Sequence, residues 1–247
     1  MQEHAWFSEW FNSPYYHLLY SHRDEVEAKE FITRLIEHLQ PHTGASMLDV
    51  GCGRGRHSRQ LAALGFKVTG IDVAPENISF AQKTASTDLT FQVHDMRNTF
   101  CAHCMDFVFN FFTSFGYFDS AHEHERALHT MATALKKGGI LVLDYVNATW
   151  AAQQLIEKEE KTIRQVHFEI SRWQDEKNIY KKIVVNDEKK QKQLSYTEKV
   201  AKFSCEQLTT MIEQQDLQLK QIAGDYHLHA FDPTSSPRLI FIAERIH

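Results

Sequence analysis

The segment Met47-Leu48-Asp49-Val50-Gly51-Cys52-Gly53-Arg54-Gly55 sets three glycines at alternate positions directly after a short apolar run that carries one acid. Glycine removes Cβ where a backbone must bend sharply and approach a ligand, and a following helix points its free N–H groups at the same space. Such a turn suits a flat, polar ligand; a tight connection needed only for geometry is the alternative. Asp72 lies 21 residues after Gly51, at the end of a second apolar run. At that spacing a carboxylate in a doubly wound fold accepts bonds from both hydroxyls of a ribose. Capping of the helix that opens near Pro75-Glu76 is its structural alternative.

Val93-His94-Asp95-Met96-Arg97 joins a carboxylate able to accept from an exocyclic amine to an apolar neighbour, a combination that brackets a purine. Asn110 and Phe111 stand at the tip of a fourth run, Asp106 to Phe112. Ligands of open α/β sheets collect at the carboxyl ends of strands, and all four segments put their polar residues at that edge. For proton transfer His17, Tyr117, Asp225, Tyr226, His227 and His229 are candidates, and spacing selects none of them. Cys101-Ala102-His103-Cys104 and the pairs His122/His124 and His227/His229 lack a convincing further ligand, so no metal is expected.

The elements that must position these residues alternate between strand and helix up to about residue 158, a pattern that predicts a parallel sheet with helices on its faces. Two helices lead in, one opening at Ser13-Pro14 and one carrying Ala28, Ile32, Leu35, Ile36 and Leu39. Strands are expected at 46–50, 67–72, 90–94, 106–111 and 140–146, with helices at 56–64, 76–85 and 121–136, the last stopped by Gly138-Gly139. From about residue 160 the spacing changes to alternation, which predicts an antiparallel meander of three strands inserted at 160–203. Ser204 and Gln207 form a capping box for one more helix, and two strands near 217–225 and 238–244 close the chain.

With 247 residues, the chain suits one α/β domain that buries about 70% of its unfolded surface. A formal charge of −5 offers no broad attraction to phosphate backbones, so nucleic acid is not an expected partner. No apolar run approaches the roughly 20 residues of a membrane span. The amino-terminal MQEHAWFSEWF has two acids and no Lys or Arg, unlike a secretory signal, so a cytoplasmic protein is expected. Four cysteines are too few and scattered for a disulfide framework and are expected as thiols.

Taken in order, LDVGCGRG, GIDVAPENI, QVHDMRN, DFVFNFFTSFGYF and LKKGGILVLDYVN resemble the class I S-adenosylmethionine-dependent methyltransferases over residues 44–147. LQLKQIAGDY and SPRLIFIAER are similar to the reversed hairpin that ends that family's sheet. WFNSPYYHLLY and GDYHLHAFDPTSSPRL resemble a bacterial subgroup, mostly of undefined substrate, with a small antiparallel insertion. A nicotinamide-dependent dehydrogenase fits less well, because the spacing is GxGxG and the closing hairpin belongs to methyltransferases.

The resemblance implies a doubly wound, Rossmann-like, seven-stranded, mostly parallel sheet with a reversed C-terminal strand, and S-adenosylmethionine as cofactor. It implies that Asp49, Gly51 and Gly53 surround the cofactor's amino-acid end, that Asp72 holds its ribose and that Val73 packs on adenine. Asp95 and Met96 would meet the adenine amine and ring, and Asn110 and Phe111 would flank the methionine portion. Tyr16 would reach over the cofactor, and Arg56 would pair with its carboxylate.

No Asn-Pro-Pro-Tyr type motif follows the fourth strand, which disfavours amino-methylation of nucleobases or glutamine. The aromatic amino terminus (Trp6, Phe7, Trp10, Phe11, Tyr15, Tyr16) and the insertion could enclose a small acceptor. A small-molecule methyltransferase with residues 1–43 as a helical lid is therefore expected. RNA or protein acceptors, and a non-catalytic sensor with the insertion as a homo-oligomer interface, are the alternatives.

Overall fold

A computed structural model describes residues 6–21 and 25–247. The reading of residues 1–5 as unlike a signal, and the side chains of Trp6 and Phe7, lie outside the described residues. Three helices lead in where two were expected: α1 (Trp6–Asn12), α2 (Pro14–Leu19) and α3 (Glu25–Leu39). Ser13 separates the first two because its hydroxyl accepts from the Tyr15 N–H and Pro14 takes the first helical position.

The expected sheet is present. β1 (Ser46–Val50), β2 (Lys67–Asp72), β3 (Leu89–Val93), β4 (Met105–Asn110), β5 (Leu135–Val146), β10 (Leu217–Ala223) and β11 (Arg238–Arg245) stand in the order β10-β11-β5-β4-β1-β2-β3. β11 is the strand reversed relative to the rest of this sheet, antiparallel to both β10 and β5. Alternation along β1 sends Met47 to one face and Leu48 to the other. Met47 packs with α3, α4 (Arg56–Ala63) and α5 (Pro75–Ala81), whereas Leu48 packs with α6 (Ala121–Ala134) and α8 (Cys205–Glu213). Both halves of the capping box at Ser204 and Gln207 form.

Three expectations are corrected. Helix α6 ends at Ala134, before Gly138-Gly139, because buried Leu135 already pairs with Met105 as the first residue of β5. The two glycines sit in the register shift that follows, between the Met105–Leu135 and Phe107–Ile140 pairs, and Gly138 has φ +76°. The insertion is a four-stranded sheet, β6 (Lys158–Ile163), β7 (Val166–Gln174), β8 (Asn178–Asp187) and β9 (Lys192–Ala201), preceded by α7 (Ala148–Gln153). Strand β6, KEEKTI, lies at the edge, where charged side chains are tolerated and no apolar alternation is required. Cys101 and Cys104, expected as thiols, are joined as a disulfide, the chain turning through His103 at φ 51°.

The small sheet packs against the leading helices. Trp10, Tyr15 and Leu19 bury against Phe168, Ile170, Ile183 and Val185. Polar contacts reinforce this join: Trp10 Nε1 donates to Glu198 at 2.7 Å, and the Tyr15 hydroxyl donates to Asp187 at 2.8 Å. Helices α1 and α2 also reach α5, where Glu76 N–H donates to Asn12 Oδ1 at 3.0 Å and His17 Nε2 meets Asn77 Oδ1 at 2.8 Å. No described helix is long and apolar enough to cross a membrane.

Candidate functional site

A cavity of about 370 Å³ lies at the carboxyl ends of β1 to β4, covered by Phe11, Tyr16 and Tyr20 from the leading helices. Gly51, Gly53, Asp72, Val73, Asp95, Met96 and Phe111 all line it, as do Tyr16 and Arg56. Asp49 and Asn110 do not: at 1% and 0% exposure they sit behind the wall.

The glycines serve different ends. A Cβ on Gly51 would stand 2.6 Å from Ser114 Cβ, so Gly51 lets the loop after β4 press on the turn. A Cβ on Gly53, at φ +56°, would meet nothing within 4 Å. Gly53 N–H donates to Asp72 Oδ2 at 2.8 Å while Ala74 N–H donates to Oδ1 at 2.8 Å; the second bond is local to the loop, and no side chain caps the helix that opens at Pro75. Burial raises the Asp72 carboxyl, and those two amides act against the rise.

Asp49 accepts from the Ser58 hydroxyl at 2.5 Å through Oδ2, and burial lifts its carboxyl to about 6 despite that bond. Asn110 Nδ2 donates to the Val50 carbonyl at 2.9 Å, clamping β4 to the turn. Asp49 Oδ1, Asn110 Oδ1 and Arg54 Nε are buried and have no hydrogen-bond partner among the described residues. Three such atoms around one turn mark a place where polar groups await a ligand or water.

Asp95 and Arg56 are already engaged. Burial raises the Asp95 carboxyl, but Arg97, with Nη2 at 2.6 Å and its own N–H at 2.9 Å, holds it below the usual range. Arg56 Nη1 pairs with Glu27 at 3.1 Å, and its guanidinium lies 5.1 Å from the Phe112 ring centre.

Of the groups considered for proton transfer, His17 and Tyr117 line the cavity. Burial, with Arg54 nearby, lowers His17 to about 4, so its imidazole is neutral at pH 7. Tyr226 donates to Asp144 at 3.1 Å, and burial pushes its phenol up, which makes it a donor and not a base. Asp225 accepts from the His227 and His229 amides and from His229 Nδ1, away from the cavity. Among the described residues no group of three His, Cys, Asp or Glu side chains stands ready for a metal.

Sequence reasoning missed Asn77, Phe80 and the Phe112-Thr113-Ser114 loop, all on the cavity wall. Asn77 carried a signal: it is a polar residue on the buried side of α5, beside Ile78 and Ala81. His57 was missed too; it lies on the wall, and burial drives its imidazole well below the ordinary range.

The chain is 36% identical over 115 residues to the putative methyltransferase YqeM of Bacillus subtilis, covering 45% of this chain and 46% of that one. It is 27% identical over 128 residues to the mitochondrial ubiquinone biosynthesis O-methyltransferase of Schizosaccharomyces pombe, covering 51% and 47% respectively. It therefore spans about half the length of the curated relatives it matches. A crystal structure of an S-adenosylmethionine-dependent methyltransferase from Clostridium acetobutylicum superposes with TM-score 0.79 at 14% identity, covering 94% of this chain and 96% of that one, which establishes a shared fold.

The sheet order is the fold shared with that S-adenosylmethionine-dependent methyltransferase, and the cavity lies at the strand tips of the same sheet. The chain belongs to the family of the Methyltransferase domain, which it matches over residues 41–216.

Proposed function

We propose that the chain binds S-adenosylmethionine across the strand tips and transfers its methyl group to a small molecule. The observation that carries this reading is the cavity beneath Phe11, Tyr16 and Tyr20, which has eight Phe and Tyr residues on its wall and whose volume of about 370 Å³ falls in the usual range for small-molecule sites. Phe11, Tyr16 and Tyr20 narrow the space over the turn, which favours a small acceptor over a long RNA or protein segment. The name of the Schizosaccharomyces pombe relative, an O-methyltransferase of ubiquinone biosynthesis, supports the same class of acceptor.

The residues fit the cofactor. In this reading Asp72 takes the ribose hydroxyls, Gly53 leaves room for the backbone to approach them, and Val73 and Met96 sandwich the adenine. Asp95 faces the adenine amine with the lone pairs that Arg97 leaves. Asp49 and Asn110, with their unpartnered oxygens, supply negative potential beneath the methionine end together with the Gly51 and Phe111 backbone. Arg54 joins Arg56 as a partner for the carboxylate, and Tyr16 closes over the top.

When bound, the cofactor supplies a methyl group on a sulfonium that is already a good leaving group. The sulfur keeps the electron pair of the broken S–C bond, and the acceptor lone pair forms the new one. What the chain adds is alignment and removal of water, through the aromatic roof and wall. An acceptor that loses a proton gives it to solvent, because burial leaves His17 too weakly basic to keep it at pH 7.

In the same reading residues 1–43 and the 160–203 insertion act as one cover, since Trp10, Tyr15 and Leu19 join them. The protein works in the cytoplasm, and the insertion offers a surface for a homo-oligomer. The test is to give purified protein methyl-labelled S-adenosylmethionine together with a metabolite extract, bulk RNA and bulk protein. Label in a small compound is expected. Label in RNA or protein alone defeats the small-molecule assignment, and tight binding without transfer favours a sensor.

A further inference from the structure

The sheet order separates the two ends of the cavity. Strands β2 and β3, which lead to Asp72, Val73, Asp95 and Met96, lie on one side of β1, and β4 lies on the other. The loop that leaves β4 is thus the wall away from the proposed nucleoside end, where an acceptor would approach the methyl group. Phe112 and Thr113, on this loop, both line the cavity.

Both residues are in the left-handed region, at φ 64° and 58°. Bulky and β-branched residues rarely adopt it, and consecutive ones persist only where their surroundings hold them. The holding groups come from two other strands. Asp144 of β5, fully buried, accepts the Phe112 N–H at 2.8 Å through Oδ2, and its backbone carbonyl accepts the Thr113 N–H at 3.0 Å. Arg238 of β11 places Nε 2.7 Å and Nη2 2.6 Å from Asp144 Oδ1, and Nη2 also donates to Thr113 Oγ1 at 2.9 Å. Its guanidinium lies 5.7 Å from the Phe112 ring centre and 5.6 Å from that of Tyr226, whose hydroxyl completes the set on Asp144 Oδ2 at 3.1 Å.

An ion pair is not needed to join β5 to β11, which already pair residue by residue from Arg238–Val146 to Glu244–Ile140. Its polar atoms act on the loop instead. We propose that Asp144 and Arg238 are positioning residues that hold Phe112 in its left-handed conformation, so that its ring forms the acceptor-side wall and selects which acceptor fits. This rests on the methyltransferase reading above.

Three substitutions test it, read by calorimetry with S-adenosylhomocysteine, by label transfer from S-adenosylmethionine to the metabolite extract, and by crystal structures of the S-adenosylhomocysteine complexes. Phe112→Gly frees the backbone but removes the ring. It is expected to keep the dissociation constant within about threefold and to lower transfer by about a hundredfold. Arg238→Met should give the same split, with Phe112 returning to negative φ. Arg238→Lys should recover only part of the transfer, since lysine lacks the planar fork. If Arg238→Met does not fold, Thr113→Val removes only the hydroxyl that accepts from Arg238 and should lower transfer in the same sense.

Unchanged transfer in Phe112→Gly would overturn the proposal, as would a parallel loss of S-adenosylhomocysteine affinity. So would a left-handed Phe112 in a folded Arg238→Met protein. A parent protein that binds S-adenosylhomocysteine but labels nothing sinks the methyl-transfer reading instead, and the Phe112 conformation in Arg238→Met still decides the positioning role.

Discussion

Gly53 and Asp72 are bonded to each other across the strand tips: the Gly53 amide donates to Asp72 Oδ2 at 2.8 Å. With Oδ1 held by the Ala74 amide, the carboxylate is oriented from both sides before any ligand arrives. Preorganisation of this kind lowers the entropy that binding must overcome. It also ties the glycine turn to the acid that the sequence places 21 residues after Gly51.

Gly51 and Gly53 should therefore respond differently to alanine. Gly53→Ala adds a Cβ where nothing lies within 4 Å, so the protein folds with a penalty of roughly 1–2 kcal/mol for left-handed alanine. Its S-adenosylhomocysteine affinity nevertheless falls sharply, because the Cβ occupies ligand space. Gly51→Ala drives a Cβ to 2.6 Å from Ser114 Cβ and should lower the melting temperature more than Gly53→Ala does. Equal melting temperatures for the two variants would contradict this assignment.

Asp49 sets stability against binding. Its carboxyl rises to about 6 in the folded protein, so the folded state holds the proton more tightly than the unfolded chain does. Stability from this group is present below the unfolded value and is lost as pH rises through about 6. Asp49→Asn removes that loss and should melt higher than the parent at pH 8 in the absence of ligand, with the gap closing near pH 4. The same variant should bind S-adenosylhomocysteine more weakly, since negative potential beneath the ligand ammonium is gone. Thermal melts at the two pH values and one titration decide both parts.

His17 has the opposite sign. Burial lowers it from an ordinary 6.5 to about 4, so the unfolded chain takes up a proton before the folded one does. Stability from this group is present above about 6.5 and is lost as pH falls toward about 4. Because His17 joins α2 to Asn77 on α5, the loss should appear first as release of the cover. His17→Gln should show a shallower fall in melting temperature between pH 7 and pH 5 than the parent. Buried His57 contributes to the acid sensitivity of both proteins, so the difference between them is the quantity to read.

Much of the large sheet could be read from residues alone. Strands β1 and β4 are short apolar runs closed by a glycine turn or a polar residue, and burial on both faces of a parallel sheet demands that composition, whereas β3, at the edge, alternates buried Leu89 and Phe91 with exposed Thr90 and Gln92. Strand β6 could not be read, because KEEKTI lies at an edge and needs no apolar face. The end of α6 was misplaced because Gly138-Gly139 suggests a helix stop, whereas pairing of Leu135 with Met105 ends the helix earlier.

At the site, the residue types were legible but their orientations were not. Asp49 and Asn110 stand at the expected strand tips yet point into the protein, toward Ser58 and the Val50 carbonyl. Phe112 and Thr113 looked like the continuation of an aromatic run. Their turn depends on Asp144 and Arg238, 32 and 125 residues away from them, which local spacing does not encode.

The most direct measurement of the account is calorimetric titration of S-adenosylhomocysteine into the parent protein and into Asp72→Ala. Among the described residues Asp72 is the one carboxylate on the cavity wall held by two backbone amides, and in the proposed reading its loss removes the group that takes the ribose without touching the acceptor end. The account predicts micromolar-range binding to the parent and a loss of about tenfold or more in the folded variant. Equal affinity in the two proteins, or no binding to the parent, would contradict it.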